Sequence, residues 1–326
     1  MKPRRRFLAG ALALAAARLA AQERPAKLYR IGMLESVPIG AASINLGSFH
    51  LGMKELGHEE GRTYLVLYRS SDGRAERFPS LATELARQGV DVFLTRGTPA
   101  TMAARDTESG IPVVASAVAD PIEAKLAASL DKPGGLVTGL TSQANEIGAK
   151  RVELLRALAP GIQRLGTLVN PDNPASLAIR KATEAAAPEL KLSVEMIDVR
   201  TPEELEARLD TAVKAGVDSL IIGVETLAQA MVNQLVEFTV RQRIPSAFAS
   251  RSFVEAGGLL SYGVNYPNLY YRSASYVDRI LKGAKPGELA IERPTKFELV
   301  INRKTARALK ITIPPDLFLR SDEIID

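Results

Sequence analysis

The chain has 326 residues, of which 46% are hydrophobic and 24% charged, and its formal net charge at pH 7 is +5. It contains no cysteine, which excludes stabilisation by disulfide bonds. About 300 residues must therefore build their own hydrophobic cores, and at typical domain sizes this length predicts two lobes.

The first 22 residues have the order of a secretory signal peptide. A basic cluster at 4–6 precedes an apolar stretch from Phe7 to about Ala17, and small residues follow at 20–22. Residues 4–8 also fit the core of a twin-arginine signal, so both export routes remain open. We expect cleavage near residues 20–23 and a periplasmic location.

A membrane anchor is the alternative interpretation of this segment. Its apolar part, however, is shorter than the ~20 residues that span a bilayer, and no later segment is long and apolar enough to do so. No cysteine follows the segment, which excludes a lipid-anchored lipoprotein. We therefore expect no stable insertion into the membrane.

The positive charge of the chain comes from this N-terminal segment. Five of the 42 Lys and Arg residues lie in the first 22 residues, which contain no acid, so 37 basic residues face 37 acidic ones in the remainder. The mature protein is therefore close to neutral, and we expect no nucleic-acid partner.

Short apolar runs alternate with longer amphipathic stretches after residue 25. Most of the runs are nearly continuous, which is typical of strands buried on both faces of a parallel sheet. Stretches such as 75–88 and 203–215 have helical spacing, and helices on both faces of such a sheet define a doubly wound α/β fold. The predicted strands are 28–34, 64–69, 90–95, 111–117, 135–140, 164–170, 192–199, 217–224, 244–250 and 258–263.

These runs form two sets of five, separated by a predicted amphipathic helix at 145–159. We therefore expect two similar lobes, each a doubly wound parallel sheet, that share a cleft lined by the carboxyl ends of both sets of strands. In the second lobe, Thr201, Pro202 and Glu204 predict a helix that begins with a capping box.

Residues 97–99 follow the third predicted strand and open a helix. Gly97 allows a sharp turn, the Thr98 hydroxyl can cap the helix, and Pro99 takes a position whose missing N–H costs nothing. The free N–H groups and the positive end of the helix dipole favour a carboxylate or another anion. The alternative is an ordinary threonine cap that touches no ligand.

Eight motifs in register resemble the solute-binding-protein family of ABC transporters, some of whose members bind aromatic amino acids. They are RGTPATMAARD (96–106), IPVVASAVADP (111–121), SLDKPGGLVTGLT (129–141), NEIGAKRVELLRALAP (145–160), LVNPDNP (168–174), AGGLLSYG (256–263), RILKGAKPGEL (279–289) and PTKFELVINRKTARALKITIPP (294–315). The resemblance runs from the signal segment to the C-terminus. It implies a type I periplasmic-binding-protein-like fold, in which three crossovers join the lobes and no catalytic step occurs.

The implied crossovers lie near 141–144, 263–265 and 284–290. They predict a first lobe of residues 28–142 plus 264–284 and a second lobe of 143–263 plus 285–326, with the assignment of the tail left open. Hinge closure would bury a ligand between the lobes, and the closed form would be recognised by an ABC permease in the inner membrane. We expect a monomer without a cofactor.

The resemblance also implies a set of ligand contacts. Glu35 and Ser36, in the loop after the first strand, face the same cleft. Glu225 and Asp120 could accept from an ammonium group and Arg251 could bind a carboxylate, whereas solvated surface charges are the alternative. The implied contacts are Thr98, Pro99, Ser116, Asp120, Asn170, Glu225, Arg251 and Tyr262.

Aromatic residues near the second-lobe edge of the cleft could stack on a planar ligand. Phe248, Tyr262 and Tyr266 are the candidates, with core packing as the alternative for Phe248. The sequence departs from the commoner family pattern at Arg96, where a small residue is more usual, and at 117–119, which replace a more polar stretch. Both departures concern the ligand and not the fold.

Enzymatic activity has little support in the sequence. His50 and His58 are the two histidines, and with no cysteine they cannot complete a typical zinc site. The chain has no Gly-x-Ser-x-Gly elbow, no P-loop and no Gly-x-Gly-x-x-Gly after the first strand. We therefore predict the solute-binding component of an ABC importer, for a small carboxylate or an amino acid. A ligand-sensing domain and an enzyme with an unrecognised site remain the alternatives.

Overall fold

The computed structural model describes residues 27–223 and 226–326. The predicted signal peptide lies outside the described residues. Twelve strands in the described part form two sheets, and all ten predicted strands are present in them. The prediction of two doubly wound α/β lobes of the type I periplasmic-binding-protein kind is confirmed.

The first lobe is built on a parallel sheet with the strand order β2-β1-β3-β4-β5. Because the strands are parallel, their carboxyl ends lie at one edge of the sheet, where the loops that follow them face the cleft. The strands are β1 (Tyr29–Glu35), β2 (Tyr64–Ser70), β3 (Val92–Arg96), β4 (Val113–Val118) and β5 (Val137–Thr141).

The second lobe has a seven-stranded sheet with the order β12-β11-β10-β9-β8-β6-β7. It is parallel except where β11 runs antiparallel to β10. The strands are β6 (Arg164–Val169), β7 (Ser193–Asp198), β8 (Ser219–Ile222), β9 (Ser246–Phe248), β10 (Leu260–Val264), β11 (Phe297–Asn302) and β12 (Glu323–Ile325). The last two strands were not among the predicted runs.

Helices cover both faces of each sheet. Three short 3₁₀ turns, Ala75–Arg77, Pro202–Glu204 and Pro286–Glu288, join them to the strands. The helices are α1 (Ser43–Glu55), α2 (Phe78–Arg87), α3 (Thr98–Arg105), α4 (Ala144–Leu158), α5 (Pro174–Glu189), α6 (Leu205–Lys214), α7 (Thr226–Ala230), α8 (Val232–Arg241), α9 (Arg251–Glu255), α10 (Tyr266–Leu281), α11 (Arg303–Ala308) and α12 (Pro315–Arg320). No helix within the described ranges is long and apolar enough to span a membrane.

Helix α10 returns the chain to the first lobe after the second sheet has been built. Its Tyr270 and Val277 are fully buried in one core with Phe49 and Met53 of α1. The opposite face of the same sheet is covered by α2 and α3, whose buried residues include Phe78. The first lobe is therefore made of two segments that lie far apart in the sequence.

The third crossover lies later in the chain than the sequence predicts. Leu289 is buried in the first-lobe core, and its carbonyl accepts a hydrogen bond from Thr138 Oγ1 at 2.7 Å. The Glu292 carbonyl accepts from the Thr141 N–H at 2.9 Å. The stretch 286–292, expected in the second lobe, thus packs on the edge strand β5, and the chain crosses to β11 only after it. The other lobe boundaries stay a prediction.

The predicted capping box at Thr201 is wrong. The chain enters α6 through the 3₁₀ turn, and the Thr201 side chain makes no cap hydrogen bond. Glu204 Oε2 instead accepts from the Arg200 N–H at 3.3 Å. The tighter turn separates the groups that would pair reciprocally in a regular first α-helical turn.

Candidate functional site

The cleft lies between the carboxyl ends of the two sheets and contains two main cavities. The larger has a volume of about 570 Å³ and is lined by residues of both lobes and of the second crossover. The smaller, about 20 Å³, lies against the start of α3. Only the larger cavity is in the range of about 300–1,000 Å³ that is typical of small-molecule sites.

The walls of the large cavity differ between the two lobes. The first lobe contributes apolar surface from Val37, Pro38 and Ala41, in the loop after β1. The second lobe contributes amide and hydroxyl groups, including Asn233 and Ser252. Such a cavity suits a ligand with an apolar body and a few polar groups.

Arg96, the last residue of β3, crosses the cleft at the inner end of the large cavity. Its Nη2 donates to Gln229 Oε1 of the second lobe at 2.9 Å. Its Cζ lies 4.2 Å from the ring centroid of Tyr266, a cation–π contact. Because Arg96 and Gln229 line both cavities, this pair forms the boundary between them.

Glu35 ends the neighbouring strand β1 and is completely buried. The Tyr270 hydroxyl and the Ser36 N–H donate to its carboxyl oxygens. Burial raises the pKa of Glu35 to about 7, against the opposing effects of Arg96 and the Ser36 N–H. Arg96 Nη1 is 3.9 Å from Glu35 Oε2, which is an ion-pair distance but too long for a hydrogen bond.

Two polar atoms beside Arg96 are buried without a hydrogen-bond partner among the described residues. They are Gln229 Nε2 and Tyr266 Oη, and both residues line the large cavity. Buried polar groups in native proteins are nearly always hydrogen-bonded. Together with the Arg96 guanidinium, this end of the cavity is therefore rich in donors.

The start of α3 is formed differently from the predicted threonine cap. Gly97 is the N-cap residue with a φ of 82°, as its predicted role in a sharp turn requires. Thr98 is the first residue of the helix and is buried, and its Oγ1 accepts from the Ala119 N–H at 3.3 Å. The threonine cap is thus wrong, because the hydroxyl is engaged by the next strand's loop. Thr98, Pro99 and Ser36 line the small cavity and not the large one.

Three other predicted contacts make local hydrogen bonds. Ser116 Oγ donates to the Thr95 carbonyl at 2.9 Å within the sheet. Asp120 Oδ1 accepts from two backbone N–H groups at 2.9 Å in the turn after β4, and Asn170 Oδ1 accepts from the Asp172 N–H at 3.0 Å. None of the three lines the large cavity.

The second-lobe candidates are divided between core and cleft. Phe248 is completely buried and stacks on Phe253 with a centroid distance of 4.7 Å. The Tyr262 ring packs on Phe297 at 6.0 Å and does not line the large cavity. Arg251 does line it, although it is paired with Glu255 and Glu323 at 2.7 Å. Glu225 lies outside the described residues.

The two lobes are in contact along the cleft. Lys181 Nζ of the second lobe lies 2.7 Å from Glu123 Oε1 of the first, and Arg74 pairs with Glu203. Ala119 and Ala175 bury their side chains against each other between the lobes. The structure therefore has a closed cleft.

Sequence reasoning missed Gln229 and Asn265, and it noted Arg96 without placing it in the site. The sequence feature that could have identified Arg96 as a site residue is its departure from the commoner family pattern. Gln229 follows β8 in a helix that carries no motif, so only the approach of the lobes reveals it. Among the residues the structure describes, no group of His, Asp and Glu could hold a metal ion.

Comparison with known proteins gives a consistent family assignment. The model of the family "ABC transporter substrate binding protein" matches residues 36–325. A tyrosine-binding protein of Clostridioides difficile is 24% identical over 278 residues, which are 84% of this chain and 80% of that protein.

Two solved structures share the whole architecture. One is the ABC domain from Streptococcus pneumoniae in complex with L-Trp, at 25% identity and a TM-score of 0.84, covering 92% of this chain and 100% of that one. The other is a conserved domain protein of Vibrio cholerae, at 24% identity and a TM-score of 0.85, covering 91% and 100%.

Proposed function

The chain belongs to the ABC transporter substrate-binding protein family, and from that membership we propose that it is the exported, periplasmic component of an ABC importer that captures a small carboxylate or an amino acid. The observation that carries the proposal is the cavity of about 570 Å³ enclosed by residues of both lobes. A ligand in this position contacts both lobes at once and therefore stabilises the closed form.

Aromatic amino acids are the first candidates among these ligands. The relatives support this choice, since one is named for tyrosine binding and another was solved with L-Trp. In this chain, the apolar wall around Val37 and Pro38 suits a ring, and Arg96 supplies a cation for the carboxylate. Glu298, which accepts from Asn265 Nδ2 at 2.6 Å and lines the same cavity, is the proposed acceptor for the ammonium group.

Capture and delivery require no chemical step. The lobes close on the ligand about the crossovers near residues 142–143, 265 and 293–296, and the closed monomer presents a surface that spans both lobes to an ABC permease in the inner membrane. The ion pairs Arg74–Glu203 and Lys181–Glu123 lie across the closing edge and contribute to that form.

The proposal is tested by a binding screen. Native mass spectrometry of protein purified without refolding reveals a retained ligand, and a thermal-shift screen covers the twenty amino acids, phenylacetate and indole-3-acetate. A ligand at 100 times its Kd stabilises the folded state by about 2.7 kcal/mol, so we expect a rise of several degrees in Tm for the true ligand. Failure of every compound to raise Tm, with no retained small molecule, would contradict this function.

A further inference from the structure

The Arg96 side chain separates the start of α3 from the large cavity. Arg96 and Gln229 stand between the two cavities, and the space beyond them, beside Thr98 and Pro99, is only about 20 Å³. A space of this size holds about one or two water molecules and not the body of an organic ligand. A ligand in the large cavity therefore cannot reach the helix N-terminus while Arg96 keeps this position.

The Arg96 guanidinium is positioned to act as the anion-binding group in place of the helix. Its side chain is 8% exposed, its Cζ is held 4.2 Å from the Tyr266 ring centroid, and Gln229 accepts from only one of its nitrogens. The Glu35 carboxyl, 3.9 Å away, is too distant to form a hydrogen bond with it. The remaining N–H groups are thus available to a second acceptor, and arginine is well suited to bind a carboxylate with two parallel hydrogen bonds.

Two further donors point to the same kind of ligand group. Gln229 Nε2 and Tyr266 Oη are buried and have no partner among the described residues, and both belong to side chains that line the large cavity next to Arg96. Leaving such donors unpaired is costly, whereas an acceptor at this end of the cavity would satisfy them. A carboxylate supplies about four acceptor positions on two oxygens.

We propose that Arg96 is the specificity-determining residue of this cleft, which excludes the ligand from the start of α3 and binds its carboxylate at the inner end of the large cavity, together with Gln229 and Tyr266. The inference rests on the proposed function and narrows its ligand class to amphiphilic monocarboxylates. The apolar body lies against the loop after β1, where Val37, Pro38 and Ala41 form the wall.

The test compares each acid with its carboxamide by calorimetric titration. The probes are L-tryptophan, L-tyrosine, indole-3-acetate and phenylacetate, with the corresponding amides. Wild type is expected to prefer the acid at least tenfold. Arg96→Met preserves an unbranched side chain but removes the charge, so it should weaken acid binding by about 10- to 100-fold and abolish the preference for the acid. Arg96→Lys should retain part of it.

Two further variants keep the test decisive. Gln229→Glu introduces a carboxylate of nearly the same shape opposite Arg96, and by competing with the ligand it should weaken acid binding at least tenfold without unfolding the protein. Arg69→Met removes an arginine from the first-lobe surface, where it pairs with Glu84 at 2.6 Å, and should leave affinity unchanged. Circular dichroism and thermal melts of each variant establish that it is folded.

The outcomes separate this inference from the function on which it rests. If wild type binds an acid but Arg96→Met binds it equally well, while Thr98→Ala loses affinity, the carboxylate lies at the start of α3 and the role of Arg96 is overturned, although the proposed function stands. If wild type binds none of the acids, the proposed ligand class fails and the inference falls with it.

Discussion

At the scale of single residues, the buried carboxyl of Glu35 makes the stability of the folded protein depend on pH. The pKa of Glu35 is raised from 4.5 to about 7 in the folded protein, mainly by burial. Between these values the folded state binds more protons than the unfolded state, so the free energy of unfolding falls as the pH rises. The loss is complete above pH 7 and amounts to about 3 kcal/mol.

Glu35→Gln should remove this part of the pH dependence, since the amide has no proton to release. Denaturant unfolding of wild type and variant at pH 5, 6, 7 and 8 measures it. We expect the stability of the variant relative to wild type to increase by about 2.5 kcal/mol from pH 5 to pH 8, because part of the titration lies below pH 5. A difference that stays constant over this range would show that Glu35 remains ionised throughout.

Individual site residues could be predicted only where the backbone requires a particular residue, or where the sequence departs from the commoner family pattern. Gly97 has the positive φ that its place after a strand suggests. Arg251 lines the cavity, whereas Phe248 belongs to the core and the Thr98 hydroxyl accepts a hydrogen bond from the Ala119 N–H. A sequence pattern shows which residues stand at strand ends, whereas the partner that each side chain selects depends on loops from other strands. The ligand contacts themselves stay a prediction.

At the scale of elements, the start of α3 depends on the backbone conformation of Gly97. A Cβ at this position would meet only Pro99 Cδ at 4.0 Å, so there is space for a side chain. What restricts the position to glycine is its φ of 82°. Gly97→Ala should therefore destabilise the protein by about 1–2 kcal/mol.

The matched control is Gly47→Ala. Gly47 lies within α1, is exposed, and has no atom within 4 Å of the position that an added methyl group would take. Alanine there should stabilise the protein by about 0.5–1 kcal/mol, because it lowers the entropy of the unfolded chain. Urea unfolding of both variants measures these two opposite changes in the free energy of unfolding. If both variants were destabilised to the same extent, the positive φ of Gly97 would not be the cause.

Elements were predicted well where burial is continuous and poorly where it is not. The ten predicted strands lie in sheets whose faces are covered, and their runs are mostly apolar. Strand β11 carries Glu298 at its second position, where it turns toward the cleft, and β12 has only three residues and lies at the sheet edge. The charged residue interrupts the apolar pattern of β11, and β12 is too short to be evident from sequence.

At the scale of the whole molecule, the contacts between the lobes set the balance between open and closed forms. Exposed ion pairs are individually weak, but Arg74–Glu203 and Lys181–Glu123 exist only when the lobes meet. The double variant Arg74→Ser/Lys181→Ser should shift the ligand-free protein toward the open form.

Small-angle scattering measures this shift as a larger radius of gyration, which a saturating ligand should reverse. The control Arg62→Ser/Lys150→Ser removes the same charges from pairs within a lobe, Arg62–Glu59 and Lys150–Glu153, and should leave the scattering curve unchanged. Identical curves for the double variant and wild type would mean that these pairs do not influence closure.

The return of α10 to the first lobe also dictates the order in which the protein can be completed during synthesis. Tyr270 contacts Glu35 across 235 positions of sequence, and Val277 and Leu289 fill the same core as Met33 of β1. While the ribosome is still making the second sheet, one face of the first sheet is therefore covered by α1 alone and still lacks α10. The second sheet in turn lacks β11 and β12 until the C-terminal segment emerges. Neither lobe can reach its final stability before nearly the whole chain exists, and contacts of such sequence separation form slowly. The newly made chain consequently has an extended interval without a native fold.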